Sequence, residues 1–203
     1  MLAVKSNEAQ LDHAAWIHEA IQDLFIETNC ELQQLAAIAV TSGPGSYTGL
    51  RVGMATAKGL CYALNKPLIT ETTLMLTATR LKKTFDASAC SLPVLICPMI
   101  DARRMEVFTM LYNWSLQPVL APQSLILNDK SFEDQLEANN VVFCGNGMPK
   151  WKSSCSHPHA FFSNNLHDIS DLAEIALDKL KSSRFSELAY TEPDYFKNFY
   201  TGK

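Results

Sequence analysis

The order of apolar and helical segments along the chain predicts a protein of the α/β class. An apolar run at Ala36 to Val40 precedes a segment of helical spacing, Tyr47 to Leu64. A second short run, Pro67 to Thr70, and a second helical segment, Thr73 to Lys83, repeat this order. Strands that alternate with helices are typical of parallel sheets covered by helices. We therefore expect a parallel α/β unit here, with Ala36 to Val40 as a fully buried strand.

The first 28 residues predict a short strand and an amphipathic helix. Met1 to Val4 forms the strand, and Asp12 is a natural N-cap for a helix from His13 to about Thr28. The apolar residues of that helix recur at helical spacing and form its buried face: Ala14, Ile17, Ile21, Leu24 and Phe25.

The polar stretch from Thr84 to Pro93 predicts a boundary between two domains, residues 1–88 and 89–203. Beyond it, two apolar runs separated by Asp101 to Arg104 predict a β-hairpin. Val141 to Cys144 predicts a strand that ends at a Gly-Asn-Gly turn. Asp168 is expected to cap a last helix with one apolar stripe: Ile169, Leu172, Ile175, Ala176 and Leu180.

Composition narrows the classes of function. The chain has 203 residues, is 47% hydrophobic and carries a net charge of -4, so RNA contact would need a local basic patch or a basic partner. The six cysteines form no C-x-x-C pair, which is typical of reduced cysteines in a cytosolic protein. No signal-peptide pattern and no apolar run near ~20 residues is present, so we expect a cytoplasmic protein without a membrane span.

The loop "TSGPGSYTGLR", Thr41 to Arg51, has several interpretations. The spacing of Gly43 and Gly49 and the absence of the required lysine exclude a Walker phosphate loop. Gly43, Gly45 and Gly49 are one residue too widely spaced for a dinucleotide loop, although Glu71 follows the next strand, where a ribose-binding acid is wanted. On this alternative, ATP or NAD would bind in the Gly43–Gly49 loop.

A purely structural interpretation of the same loop is a tight turn at Gly43 to Gly45 followed by a helix cap at Ser46 or Thr48. Capping contributes about 1 kcal/mol and accounts for the hydroxyl groups. Gly43, Gly45 and Ser46 remain weak candidates for nucleotide contact.

The helix after the loop carries small residues at every fourth position. One row is Gly49, Gly53, Ala57 and Cys61, and a second is Ala55, Gly59 and Ala63. Each interior glycine costs about 1 kcal/mol of helix propensity relative to alanine, so a compensating contact is expected. Small residues permit another backbone to approach closely, which predicts a docking site for a partner protein or for another domain of this chain.

These segments resemble the TsaB (YeaZ) family. "LAAIAVTSGPGSYTGLRVGMATAKGLCYALNKPLI", Leu35 to Ile69, is similar to the family's signature region. "MIDARRMEVFTMLY", "VVFCGNGMPKW" and "EPDYFKNFY" resemble its second domain and C-terminus. The resemblance implies two actin-like (ASKHA) domains and a role in making threonylcarbamoyladenosine in tRNA.

The resemblance also implies that the chain is a non-catalytic scaffold, without a catalytic residue or cofactor of its own. Its partners would be TsaD, the threonylcarbamoyl transferase, and the ATPase TsaE, with tRNA bound only through the complex and ATP used by the complex. A homodimer is expected when the chain is alone. The first two helices would bind TsaD, and the expected interface residues are His13, Ile17, Gly49, Val52, Gly53, Thr56, Ala57 and Leu60.

Enzymatic interpretations need residues at spacings that this sequence does not have. TsaD-like proteins bind a metal through two histidines four apart on a helix, but His13 and His18 are five apart and point about 140° away from each other. Cys155, His157 and His159 lie in a proline-containing loop with no fourth ligand nearby, so no metal site is expected. A glycoprotease-like hydrolase is the other enzymatic alternative, but the sequence lacks the G-x-S-x-G elbow that would present a serine nucleophile.

The Asp101 to Arg104 turn leaves two interpretations open. Asp101 is either catalytic or the first residue of a β-turn. Arg103 and Arg104 either contact RNA or a nucleotide or flank a solvated turn.

The family's opening strands with an Asp-Thr-Ser-like motif have no counterpart before Met1 to Lys5. We therefore expect a first domain that is incomplete at its N-terminus and strands with unpaired edges. Self-association or a disordered N-terminus would follow.

Overall fold

The computed structural model describes residues 1–7 and 12–196, which form six α-helices and seven strands. The helices are α1 (His13–Thr28), α2 (Tyr47–Leu64), α3 (Thr73–Thr84), α4 (Glu133–Ala138), α5 (Met148–Lys152) and α6 (Ile169–Lys181). The strands are β1 (Ile38–Gly43), β2 (Leu68–Thr72), β3 (Val94–Asp101), β4 (Glu106–Asn113), β5 (Pro118–Ile126), β6 (Asn140–Cys144) and β7 (Ala160–Ser163).

The chain packs as two compact units. The first contains Met1–Glu71 and Leu172–Pro193, and the second contains Thr72–Asp171 with residues 194–196. These units differ from the predicted ranges 1–88 and 89–203. Helix α3 joins the second unit because Leu74 and Leu81 pack in the same core as Ile96 of β3. The local composition does not indicate that the chain returns to the first unit after residue 171.

The second unit is built on a five-stranded sheet in the order β5-β4-β3-β6-β7. β3 pairs antiparallel with β4, β4 pairs antiparallel with β5, and β3, β6 and β7 run parallel. Alternate residues of β3 enter different cores: Cys97 and Met99 pack with Trp151, and Ile96 packs with helix α3. This period of two buries both faces of the central strand.

Turn chemistry fixes the ends of the strands. The predicted hairpin at Asp101 to Arg104 is confirmed, since Asp101 lies opposite Val107 in the antiparallel β3–β4 pair. Gly145 ends β6 with a φ of +92°, and a Cβ at this position would lie 2.4 Å from the carbonyl oxygen of Met99. Only glycine fits both this backbone conformation and this close approach.

Asp168 caps helix α6 as predicted, and the structure adds a reciprocal bond to Asp171. The carboxylate of Asp168 accepts a hydrogen bond from the Ser170 amide at 2.7 Å, and Asp171 accepts one from the Asp168 amide at 3.0 Å. Asp171 is fully buried and pairs with Arg80 at 2.8 Å and with Lys83 at 3.1 Å, both on α3. The buried carboxylate is thus compensated by two cations, as burial of a charge requires.

The first unit contains a two-stranded sheet of β1 and β2 within the described part of the chain. Helix α2 covers β1, and Ile38, Val40 and Leu68 share a core with the helix. Beyond β2, the Ser186 amide donates to the Leu68 carbonyl at 2.8 Å, and Lys179 of α6 pairs with Glu71 at 2.9 Å.

Three predictions for this unit are wrong. Met1 to Val4 is not a strand, because no described strand lies beside it and Leu2 is 83% exposed. Asp12 precedes α1 as expected, but its left-handed backbone leaves its side chain without a capping hydrogen bond. The predicted fully buried strand is instead half-buried over Ile38 to Val40, because its sheet has only two strands in the described residues.

Candidate partner-binding surface

Helices α1 and α2 pack against each other, and α2 also packs on β1. The side of α2 that faces the sheet is apolar and closed: Met54, Ala57 and Cys61 are buried with Leu68. This side therefore belongs to the core of the first unit and is unavailable to another protein.

Three of the four small residues in the row, Gly53, Ala57 and Cys61, turn toward this core. A Cβ at Gly53 would lie 3.6 Å from Cγ2 of Val40, and Ala57 is only 5% exposed. Ala57 was predicted as an interface residue, and this prediction is corrected, because its small size serves packing against the chain's own sheet. Helical spacing reveals a small-residue row but not the side to which it faces.

The second row of small residues lies on the outside of α2. Ala55, Gly59 and Ala63 are exposed, and a Cβ at Gly59 would meet no atom of the described residues within 4 Å. Tyr62 stands beside them and is 84% exposed. We call Ala55, Gly59, Tyr62 and Ala63 the α2 strip. The sequence shows this row, but the predicted interface residues did not include it, because exposure is a property of the folded chain.

A shallow depression of about 460 Å³ adjoins the α2 strip. It is lined by Lys58, Gly59, Tyr62, Leu188 and Ala189. The Lys58 ammonium donates to the carbonyl oxygens of Ala189 at 3.2 Å and of Thr191 at 2.9 Å. These bonds hold residues 189–191 alongside the helix and fix one wall of the depression.

The remaining predicted interface residues are neither fully buried nor fully exposed. All of them lie on α1 or α2: His13, Ile17, Gly49, Val52, Gly53, Thr56 and Leu60. Partial exposure is compatible with the rim of a binding surface, and their contact with a partner stays a prediction.

The loop before α2 acts as a turn and a helix cap. Gly43 has a φ of +116°, in the region that favours glycine, and the Ser46 hydroxyl accepts a hydrogen bond from the Gly49 amide at 3.3 Å. The capping interpretation is thus confirmed at Ser46. Gly45 has room for a side chain, since a Cβ would lie 3.9 Å from Leu50. Nucleotide contact by Gly43, Gly45 or Ser46 stays a prediction, while Glu71, the possible ribose ligand, is paired with Lys179.

Asp101 organises its own turn. Its carboxylate accepts hydrogen bonds from the Arg103 amide at 2.5 Å and from the Lys150 ammonium at 2.6 Å. Burial raises the pKa of Asp101, but the hydrogen bond and charge of Lys150 and the Arg103 amide outweigh it and lower the pKa overall. Lys150 also donates to the Glu106 carbonyl at 3.1 Å. These contacts favour the β-turn interpretation of Asp101 over a catalytic one.

The histidines near the end of α5 make local hydrogen bonds. His157 Nδ1 accepts from the His159 amide at 3.2 Å, and His159 Nδ1 lies 2.9 Å from the Leu136 carbonyl oxygen. In residues 1–7 and 12–196, no three His, Cys, Asp or Glu side chains are arranged to hold a metal ion. The candidate ligands His13, His18 and Cys155 therefore belong to no such group.

The mixed sheet of the second unit and the helix-covered sheet of the first define an α/β protein of the actin-like class. Residues 4–189 match the family model described as "TsaD: tRNA N6-adenosine threonylcarbamoyltransferase". The chain belongs to this family and, within it, resembles the members called TsaB or YeaZ.

Two relatives and two solved structures illustrate the likeness. The tRNA threonylcarbamoyladenosine biosynthesis protein TsaB of Bacillus subtilis (strain 168) is 33% identical over 121 residues, which cover 58% of this chain and 49% of that protein. The chain thus spans about half the length of that relative. TsaB of Escherichia coli (strain K12) is 25% identical over 199 residues, which cover 92% of this chain and 81% of that protein.

"YeaZ from Pseudomonas aeruginosa" has a TM-score of 0.69 at 25% identity, covering 91% of this chain and 85% of that one. A second structure, titled as an uncharacterized protein similar to peptidase YeaZ from Pseudomonas aeruginosa, has a TM-score of 0.70 at 22% identity, covering 91% and 84%. The predicted family likeness and actin-like fold are confirmed. Both TsaB relatives carry a name that refers to tRNA threonylcarbamoyladenosine biosynthesis. Among the described helices, none combines the length and apolarity of a membrane span.

Proposed function

We propose that this chain is a non-catalytic subunit in the synthesis of threonylcarbamoyladenosine in tRNA, and that it binds a TsaD-type transferase through the outer side of α1 and α2. The observation that carries the proposal is the α2 strip, in which exposed small residues adjoin an 84% exposed tyrosine. TsaE would join the same complex.

The α2 strip suits a helical partner for two physical reasons. Without large side chains at Ala55, Gly59 and Ala63, a second helix can approach closer than the usual 8–10 Å between helix axes. Tyr62 supplies a large apolar ring with a polar end, and tyrosine is enriched among residues that dominate binding energy. The glycine at position 59 weakens the helix by about 1 kcal/mol relative to alanine, and a Cβ there would meet no atom of the described residues within 4 Å.

The candidate catalytic side chains make structural hydrogen bonds, which supports the non-catalytic role. Asp101 holds its turn with Lys150, and His157 and His159 make local bonds. The net charge of -4 disfavours direct tRNA binding, so tRNA would be reached through the complex. ATP would likewise be used by the complex and not bound by this chain alone.

The experiment is titration of the purified chain with the TsaD protein of the same organism. Ala55→Leu places a branched side chain on the α2 strip, and we expect its dissociation constant to rise about tenfold or more, equivalent to about 1.4 kcal/mol. Ala138→Leu is the matched control, because Ala138 is also an exposed helical alanine but lies on α4 in the second unit. Equal binding by wild type and Ala55→Leu would contradict the proposed surface.

Calorimetric titration of the isolated chain with ATP or NAD distinguishes the nucleotide-binding alternative from the proposed scaffold role. If the isolated chain bound ATP or NAD saturably and Gly45→Val abolished that binding, the Gly43–Gly49 loop would be a ligand site. We expect no saturable heat with either nucleotide.

A further inference from the structure

The tip of the β3–β4 hairpin, residues 102–105, carries two consecutive arginines with a left-handed backbone. Arg103 has a φ of +70° and Arg104 has a φ of +48°. Residues with a side chain are disfavoured in this region, and hairpin turns that require it usually contain asparagine or glycine. The tip therefore carries a conformational cost that its residue types do not explain.

Contacts with neighbouring residues hold the tip in this conformation. The Asp101 carboxylate accepts a hydrogen bond from the Arg103 amide at 2.5 Å, and the Asp101 amide donates to the side-chain oxygen of Asn146 at 2.9 Å. The Lys150 ammonium bonds both the Asp101 carboxylate, at 2.6 Å, and the Glu106 carbonyl oxygen, at 3.1 Å. A strained backbone that its surroundings enforce is typical of ligand clamps and other functional sites.

The two guanidinium groups are available to a ligand from outside the chain. Both arginines are exposed, and within residues 1–7 and 12–196 neither guanidinium forms an ion pair or a hydrogen bond. The two acids of the hairpin have partners of their own, since Asp101 binds Lys150 and the Ser124 hydroxyl donates to the Glu106 carboxylate. Exposed guanidinium groups recognise phosphate through paired hydrogen bonds.

We propose that Arg103 and Arg104 bind phosphate groups of the tRNA backbone within the proposed complex. The inference rests on the proposed function, in which tRNA is the substrate of that complex. Two neighbouring guanidinium groups can engage successive phosphates of one strand, whereas a free phosphate ion offers only one such group. The net charge of -4 keeps the affinity of the chain alone low, so a partner supplies most of the binding.

The salt dependence of tRNA binding tests the proposal. Arg103→Gln combined with Arg104→Gln, the charge-removal variant, takes away both charges. Fluorescence anisotropy of labelled tRNA with the assembled complex should show a dissociation constant about fivefold higher or more. Each lost phosphate contact lowers the slope of log affinity against log salt by about 0.7–0.9, so we expect a slope smaller by about 1.4–1.8. Arg184→Gln, at an exposed arginine of the first unit, is the matched control and should behave as wild type.

A second variant separates RNA binding from folding. Arg103→Asn combined with Arg104→Gly, the turn variant, introduces residues that adopt positive φ at lower cost. We expect its melting temperature to rise by about 2–4 °C or more and its tRNA affinity to fall as in the charge-removal variant. A melting temperature that falls together with the affinity would show that the arginines stabilise the hairpin, against the proposal.

Titration of the full chain alone with tRNA at low salt needs no transferase. Electrostatic contacts are least screened there, and the charge-removal variant should bind about fivefold more weakly than wild type. This measurement decides the RNA contact even if the chain fails to bind TsaD, so the two proposals can fail separately. Equal binding by both proteins in this titration would overturn the inference.

Three results with the assembled complex would also overturn it. An unchanged affinity and salt slope in the charge-removal variant would show that the arginines only flank a solvated turn. A loss of transferase binding with normal tRNA binding would show that the tip faces a protein. Saturable displacement of tRNA by inorganic phosphate or ATP, at constant ionic strength, would show that the ligand is a free phosphate group.

Discussion

Two alanines on α2, Ala57 and Ala55, provide a direct test of which side of this helix is core. Ala57 is 5% exposed and shares its core with Met54, Cys61 and Leu68, whereas Ala55 is exposed. Replacement by leucine adds three carbon atoms at either position. The chemistry of the two substitutions is identical, so any difference reports the surroundings.

The structure gives a magnitude for each change. Overfilling a packed core costs about 1–3 kcal/mol, which we expect for Ala57→Leu. For a chain of this size each kcal/mol lowers the melting temperature by about 2–4 °C, so the expected loss is about 2–12 °C. Ala55→Leu should stay within about 0.5 kcal/mol of wild type, as exposed substitutions usually do.

Thermal and urea unfolding of the two variants and wild type, followed by circular dichroism, would measure these differences. A wild-type melting temperature for Ala57→Leu would show that position 57 has free space, against the core described here. Equal destabilisation by the two variants would show that Ala55 is also packed, and the α2 strip would lose its basis as an exposed surface.

Two further predictions concern titration and thiol chemistry. Hydrogen bonds from Ser170 and the charge of Arg80 lower the pKa of Asp168 from 3.8, so its cap stabilises the fold above that pH and is lost as pH falls through the folded value. Asp168→Ala should cost about 1 kcal/mol in urea unfolding at neutral pH and progressively less below about pH 3.8, whereas a constant cost would contradict the assignment. Burial raises the pKa of Cys97 to about 12 and also raises that of Cys144, so neither thiol should react with a thiol reagent until the chain is unfolded. Mass spectrometry of labelled native protein would locate the modified cysteines, and rapid labelling of Cys97 would refute this burial.

Local patterns were sufficient to place most elements of the first half of the chain. Helix α1 at His13–Thr28 and α2 at Tyr47–Leu64 begin and end as predicted, because apolar spacing is a local signal and, for α2, so is the Ser46 cap. The hairpin at Asp101 and the cap at Asp168 were predicted for the same reason. In the hairpin and at the cap, the residues that decide the structure lie within a few positions of each other in the sequence.

Properties that depend on distant residues were not predictable. The Gly53 and Ala57 side of α2 is closed by β1, and the sequence spacing is equally compatible with an open surface. The strand predicted at Met1 to Val4 failed because strand formation needs a neighbour, which local composition does not report. Likewise, the exposure of Tyr62, which marks the α2 strip, is visible only after folding.

The membership of Leu172–Pro193 in the first unit has a practical consequence for dissecting the protein. Expression of the N-terminal 88 residues by themselves would omit Lys179, the partner of Glu71, and Ser186, which binds the Leu68 backbone. Such a fragment would expose a strand edge that the intact polypeptide closes with its own later residues. A recombinant version of this half therefore needs the later segment fused back through a designed linker.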